Sequence, residues 1–171
     1  YVWGKYLAVL ASFLGVLAAV AFYAWRQRLD WWRMMDFIAP LVPPGLAAGR
    51  LGNFINGELF GRVTNAPWAM VFPTGGPLPR HPSQLYEFFL EGVVLFSVLW
   101  ILKDRGFRSG VLTSLFIILY GIARFIVEFF REPDPQVGFI AGPFTMGQLL
   151  SASMAAAGVV IYYMRRERSH A

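Results

Sequence analysis

The residues best equipped for chemistry fall in two stretches. The first, Gly-Arg-Leu-Gly-Asn-Phe-Ile-Asn-Gly-Glu-Leu-Phe-Gly-Arg from Gly49 to Arg62, packs two arginines, two asparagines and a glutamate among four glycines, directly after an apolar run. The second, Tyr120-Gly121-Ile122-Ala123-Arg124-Phe125-Ile126-Val127-Glu128, repeats a polar residue every four positions, so Tyr120, Arg124 and Glu128 share one helix face. Ionisable groups at membrane depth are costly and mark pathways or sites. Arginine adds a permanently charged planar fork that matches phosphate oxygens. The stripe has two readings: an Arg124–Glu128 pair that fixes helix packing, or one half of an anion site whose other half is the Arg50 segment. The direction of the stripe favours the second, because it approaches the outer end of its helix, where Arg131, Glu132 and Asp134 continue it.

Composition states what must carry these residues. Of the 171 residues, 57% are hydrophobic and only 15% charged, more apolar than a soluble domain of this size requires. The mean hydropathy of +0.51 agrees. The chain is predicted to be one integral membrane domain over residues 1–171, an all-α polytopic bundle set in a lipid bilayer. A net charge of +5 is explained by cytoplasmic loops and does not argue for nucleic acid. Without cysteine, the chain has no disulfide, thiolate metal site or nucleophilic thiol of its own. The first residue is Tyr1 and not Met, which predicts a fragment or a processed product.

Five membrane segments are expected: Tyr6 to Trp25, Met34 to Ala48, Leu85 to Leu102, Val111 to Phe130 and Phe144 to Met164. Pro40, Pro43 and Pro44 predict a broken second segment. Between the second and third lies a site-forming loop over 49–83, with a short strand pair expected in Val63 to Phe72. Placing Arg26, Arg28 and Arg33 in the cytoplasm also puts Lys103, Arg105, Arg108, Arg165, Arg166 and Arg168 there, in keeping with the positive-inside rule. Arg50, Arg62, Arg80 and Arg131 then fall on the outer face, and Arg124 within a membrane segment. Topology does not call for these five; an anion at the outer leaflet does.

The Gly49 to Arg62 stretch resembles the signature of the bacterial prolipoprotein diacylglyceryl transferase family. Arg80-His81-Pro82-Ser83-Gln84-Leu85-Tyr86-Glu87, then Tyr120-Gly121 with Arg124-Phe125 and Glu128, and Gly147-Gln148-Leu149-Leu150-Ser151 resemble its later blocks in the same order. The resemblance implies a seven-helix family of inner-membrane enzymes, with the site towards the periplasmic leaflet. These move a diacylglyceryl group from phosphatidylglycerol to the lipobox cysteine thiol of a prolipoprotein signal peptide, forming a thioether and releasing glycerol phosphate. It implies that Arg50 and Arg124 are the essential arginines, with Asn53, Glu58, Gly61, Tyr120 and Glu128 in support. No cofactor is expected.

Residue types suit that chemistry. A phosphate leaving carbon gathers negative charge that preorganised guanidiniums stabilise. Asn53 and Tyr120 are suited to hydrogen-bond glycerol or ester oxygens, Glu58 and Glu128 to hold the arginines, and Gly61 to let backbone approach the ligand. A base must still assist the thiol. Where the family carries a Phe-His-Gly-Gly type motif, this chain reads Ser12-Phe13-Leu14-Gly15; on one reading, Tyr1 to about Ser12 belongs to an earlier helix. His81, before Pro82 at a helix entry, is a secondary site candidate whose plainer role is in the loop or cap.

Glu87 and Glu91 lie four apart, but one carboxylate pair without a neighbouring histidine does not predict a metal, and none is expected; Glu87 is read as a supporting polar residue. Gly45 and Gly49 are spaced for close helix packing. Trp31, Trp32, Trp68 and Trp100 are read as interfacial anchors, and Gly147-Gln148 as a cap or cavity lining. Two other classes compete with the transferase: a non-catalytic phospholipid-binding protein of the same fold, and an anion transporter using the Arg124 stripe. Transport predicts broken helices in equivalent halves, whereas only one proline-broken segment is present.

Overall fold

The computed structural model describes residues 2–132, 139–141 and 144–166. The expected positions Asp134 and Arg168 lie outside them. Helices dominate because apolar runs in lipid must satisfy every backbone N–H and C=O internally. Helix α1, Val2–Arg26, runs without a break through Ser12 and Phe13. Helix α2, Trp31–Ile38, starts at Asp30, whose carboxylate accepts the Arg33 N–H. The proline-rich break is a single 3-10 turn, Ala39–Leu41, after which α3 covers Val42–Ile55. Pro43 sits in the first turn of α3, where its missing N–H costs nothing.

The expected boundary at Gly49 moves here. α3 continues through Gly49-Arg50-Leu51-Gly52-Asn53-Phe54-Ile55, so Arg50 and Asn53 stand on the last turns of a helix and irregular chain begins at Asn56. The third rod comprises α4 (Ser83–Glu87), a wider π-wound stretch (Phe88–Val94) and α5 (Leu95–Leu102). Helix α6 spans Val111–Val127 and α7 spans Met146–Arg166. The 83–102 rod and α7 have 20 and 21 residues, long and apolar enough to cross a membrane. Most of both is uncovered by protein, unlike the core helix of a soluble domain. Shorter apolar helices cover Leu14–Arg26 and Val111–Val127.

Leu95, Leu99 and Leu112 form the buried apolar centre, with Phe116, Leu119 and Tyr120 packed against it. The close helix contacts involve glycines other than those the spacing suggested. A Cβ on Gly45 or Gly49 would meet nothing within 4 Å, whereas one on Gly92 would lie 2.6 Å from the Ala47 side chain, and one on Gly121 3.0 Å from that of Ala155. Ala47 of α3 thus abuts the π stretch, and α6 abuts α7. The expected strand pair within Val63 to Phe72 does not form. Val63 and Met70 each make an isolated antiparallel bridge to Arg80, and Gly61 makes one to Arg131. A two-stranded hairpin, β1 (Phe139–Ala141) with β2 (Phe144–Thr145), precedes α7.

Candidate active site

Three rods carry their charged residues to one place. Arg50 comes from the end of α3, Glu87 and Glu91 from α4 and the π stretch, and Arg124 and Glu128 from the end of α6. Arg50 Nε lies 2.8 Å from Glu87 Oε2, and Arg124 Nη1 lies 2.5 Å from Glu87 Oε1. One carboxylate therefore holds both arginines, Oε2 facing Arg50 and Oε1 facing Arg124. Arg131, just beyond α6, reaches the same Glu87 Oε1 at 3.4 Å. Glu91 adds longer pairs, 3.4 Å to Arg50 and 3.7 Å to Arg124, and Glu128 lies 3.3 Å from Arg124.

Burial is unequal within this cluster. The Glu87 and Glu91 side chains are fully buried, while Arg50, Arg124 and Arg131 remain 18%, 17% and 13% exposed. The carboxylates lie deeper than the arginine side chains, each of which keeps a small part of its surface open. Desolvating a carboxylate is costly unless cations and hydrogen bonds surround it, a condition that Glu87 meets with three arginines. Their approach also leaves the Glu87 and Glu91 pair, whose spacing alone would suit a metal, engaged by guanidiniums.

Glu128 is held from the other side by Thr145, at the end of β2 and just before α7. Its Oε1 accepts the Thr145 hydroxyl at 3.0 Å; Gln148 Oε1 accepts the Thr145 N–H at 3.1 Å, and Thr145 Oγ1 accepts the Gln148 N–H at 3.3 Å. Gln148 is thus a buried cap residue. Gly147 is required by contact, since a Cβ there would sit 2.5 Å from the Glu128 carboxylate.

The remaining predicted residues fall as follows. Asn53 lies one turn beyond Arg50 on α3, half-buried, with its carbonyl accepting the Glu58 N–H at 2.9 Å. Tyr120 lies one turn before Arg124 and stacks on Phe116, ring centroids 5.9 Å apart. Glu58 departs from expectation: its side chain is exposed and pairs with no arginine among the described residues. Its carbonyl accepts from Gln84 Nε2 at 2.5 Å. The task of steadying Arg50 falls to Glu87 and Glu91, because Glu58 lies past the end of α3, on a turn where Gly57 and Leu59 take positive φ. Gly61 is a point of close backbone approach, but to the chain itself. A Cβ there would strike the Phe130 carbonyl and lie 2.7 Å from the His81 Cβ, and the Gly61 N–H donates to His81 O at 2.8 Å.

The His81 side chain engages Tyr86 and Phe130. Its Nδ1 is 3.0 Å from the Tyr86 hydroxyl, which also accepts from Trp68 Nε1 at 2.7 Å. Its ring packs edge-on against Phe130. The two other outer arginines tie the loop: Arg62 Nε donates to Arg131 O at 2.9 Å, and Arg80, lying over the Phe60 ring, pairs with Glu132. Trp100 lies under the Lys103 ammonium and Trp32 under the Arg165 guanidinium.

Burial lowers the His81 pKa from its ordinary 6.5. As pH falls through about 6.5, the unfolded chain takes up this proton before the folded chain does, so the stability present at neutral pH declines. The melting temperature is expected to drop less between pH 7 and pH 5 in His81→Asn than in the parent. Equal drops would show that the ring does not titrate differently on folding.

Buried carboxylates thus hold three largely buried arginines where apolar helices converge. A family model described as prolipoprotein diacylglyceryl transferase matches residues 1–164, and the chain belongs to that family. It is 52% identical over 161 residues to the phosphatidylglycerol–prolipoprotein diacylglyceryl transferase of Pseudomonas aeruginosa. It is 54% identical over 162 residues to the protein of that name in Francisella tularensis subsp. mediasiatica. Both matches cover 94% of this chain; the chain spans 60% of the length of these curated relatives.

Proposed function

We propose that the chain transfers the diacylglyceryl group of phosphatidylglycerol to the lipobox cysteine thiol of a prolipoprotein signal peptide. It does so as a five-segment multi-pass protein of the bacterial inner membrane, with its site towards the periplasmic leaflet. The observation that carries this reading is the convergence of Arg50 and Arg124 on Glu87. Two guanidiniums from separate rods, held apart by one carboxylate, suit the two non-bridging oxygens of a phosphodiester. In the reaction the cysteine sulfur forms a bond to the glyceryl carbon, the carbon–oxygen bond to phosphate breaks, and its electron pair stays on glycerol phosphate. The thiol proton is released.

Arg50 and Arg124 stabilise the charge that grows on the departing phosphate, where partial burial strengthens their effect over the same groups in water. Glu87, Glu91 and Glu128 keep both forks aimed, so little reorganisation accompanies bond breaking. Asn53 and Tyr120 lie one helical turn from Arg50 and Arg124, and their amide and hydroxyl suit glycerol and ester oxygens. The family membership and the names of relatives more than half identical support this activity. The direct test incubates the protein with phosphatidylglycerol and a synthetic lipobox peptide and reads the peptide by mass spectrometry. A diacylglyceryl mass gain on the cysteine, absent from a cysteine-to-serine peptide, is expected. Phosphatidylglycerol binding with the peptide unchanged would instead indicate a lipid-binding protein.

A further inference from the structure

Thr145 and Gln148 make a reciprocal capping box at the start of α7. The Thr145 hydroxyl oxygen accepts the Gln148 N–H at 3.3 Å, and the Gln148 side-chain oxygen accepts the Thr145 N–H at 3.1 Å. Such a box uses only a lone pair of the hydroxyl and leaves its proton unused. Here the proton has an acceptor. Glu128 Oε1 lies 3.0 Å from Thr145 Oγ1, and an ionised carboxylate can only accept, so the threonine donates. Thr145, Gln148 and Glu128 are all buried, where a hydroxyl proton without a partner would be costly.

The consequence falls on Arg124. The last torsion of a glutamate side chain is broad and roughly two-fold, so its rotamer does not fix the plane of the carboxylate. The bond from Thr145 does. With Oε1 taken by the hydroxyl, Oε2 makes no hydrogen bond and faces Arg124 Nη2 as an ion pair at 3.3 Å. The first turn of α7 closes on the same carboxylate, since a Cβ on Gly147 would sit 2.5 Å from it, and the amino end of a 21-residue helix favours negative charge there.

We infer that Thr145 is a positioning residue of the transfer site: its hydroxyl fixes the Glu128 carboxylate and, through it, the Arg124 guanidinium. The inference rests on the reading of Arg124 as a phosphate-gripping residue. Capping α7 and aiming Glu128 are separable tasks. Thr145→Ser keeps both. Gln148→Ala breaks half of the box but leaves the hydroxyl on Glu128, still oriented by the backbone N–H at position 148. Thr145→Val keeps the shape of the side chain and removes both hydroxyl bonds.

The test measures the melting temperature of each variant and its kcat for transfer from phosphatidylglycerol to a synthetic lipobox peptide. Thr145→Val and Gln148→Ala should both lower the melting temperature. Only Thr145→Val should lower kcat strongly, by at least about 10-fold, as loss of a hydrogen bond to a charged group allows; Gln148→Ala should lose less than about 3-fold and Thr145→Ser less than about 2-fold, because both retain the donor. Parent kcat in Thr145→Val, or an equal loss in Gln148→Ala, would overturn the assignment. Should Thr145→Val not fold, Thr145→Cys takes its place, since a thiol is a weak donor; its kcat should fall below that of Thr145→Ser, and equal values would overturn the assignment. A parent that modifies no peptide counts against the transfer reading instead. The affinity for glycerol 1-phosphate then decides: the same order among the variants is expected, and parent affinity in Thr145→Val, or no binding by the parent, overturns the positioning role.

Discussion

Arg124→Ala is expected to lower thioether formation by at least about 100-fold, the usual cost of removing one preorganised donor from a site that stabilises developing negative charge. Arg124 is the most connected guanidinium of the cluster, reaching Glu87, Glu91 and Glu128. No neighbour can take its place, because Arg50 and Arg131 are already committed to Glu87 from other directions. Arg124→Lys should recover little, since an ammonium cannot span the carboxylates and offer a second N–H to the ligand. The rate of peptide modification decides this, with membrane insertion checked by protease accessibility. Transfer at the parent rate in Arg124→Ala would remove this residue from the mechanism.

Glu87→Ala should be the most damaging substitution to the fold. It leaves Arg50, Arg124 and Arg131 converging on a buried point without the carboxylate they share, and removing one partner of a buried pair costs about 3–5 kcal/mol. A lower melting temperature and reduced recovery of folded protein are expected, together with loss of transfer. Glu87→Gln keeps the shape without the charge and should recover folding more than transfer. Glu58→Gln is the contrasting control: its exposed side chain supports none of the arginines among the described residues, so the melting temperature should not move. Equal destabilisation by Glu87→Ala and Glu58→Gln would mean that the cluster does not hold the bundle together.

The helices and the polar face of α6 were legible because apolar run length and a four-residue period are local properties of the chain. So was the meeting of two arginine stretches, through the direction of the Tyr120, Arg124, Glu128 stripe. What joins them was not. Glu87 and Glu91 show in the sequence as two carboxylates one turn apart, and nothing local states that three guanidiniums, one from α3, one from α6 and one from just beyond α6, will face them. Arg131 lies beyond its helix, so helical periodicity gives it no orientation.

The last turns of α3 were hidden by glycine, which is a poor helix former in water; here the demand for internal hydrogen bonds outweighs that preference. Glu58 was misassigned for the same reason. Once α3 ends at Ile55 the chain turns at Gly57, and the glutamate is carried away from the arginines. Gln148 is legible as a cap residue at the start of α7, whereas its partner Thr145 and the link to Glu128 depend on how the helices pack.

The central claim is that Arg50 and Arg124 jointly grip a phosphate. Its most direct test is calorimetric titration of the purified protein with glycerol 1-phosphate, comparing the parent with Arg50→Ala, Arg124→Ala and the double variant. The account predicts that each single substitution weakens binding by at least about 10-fold, in line with the loss of one charge-assisted hydrogen bond. It also predicts that the double variant loses less than the sum of the two, because both arginines share Glu87 and one ligand. Binding of parent affinity in either single variant would contradict it.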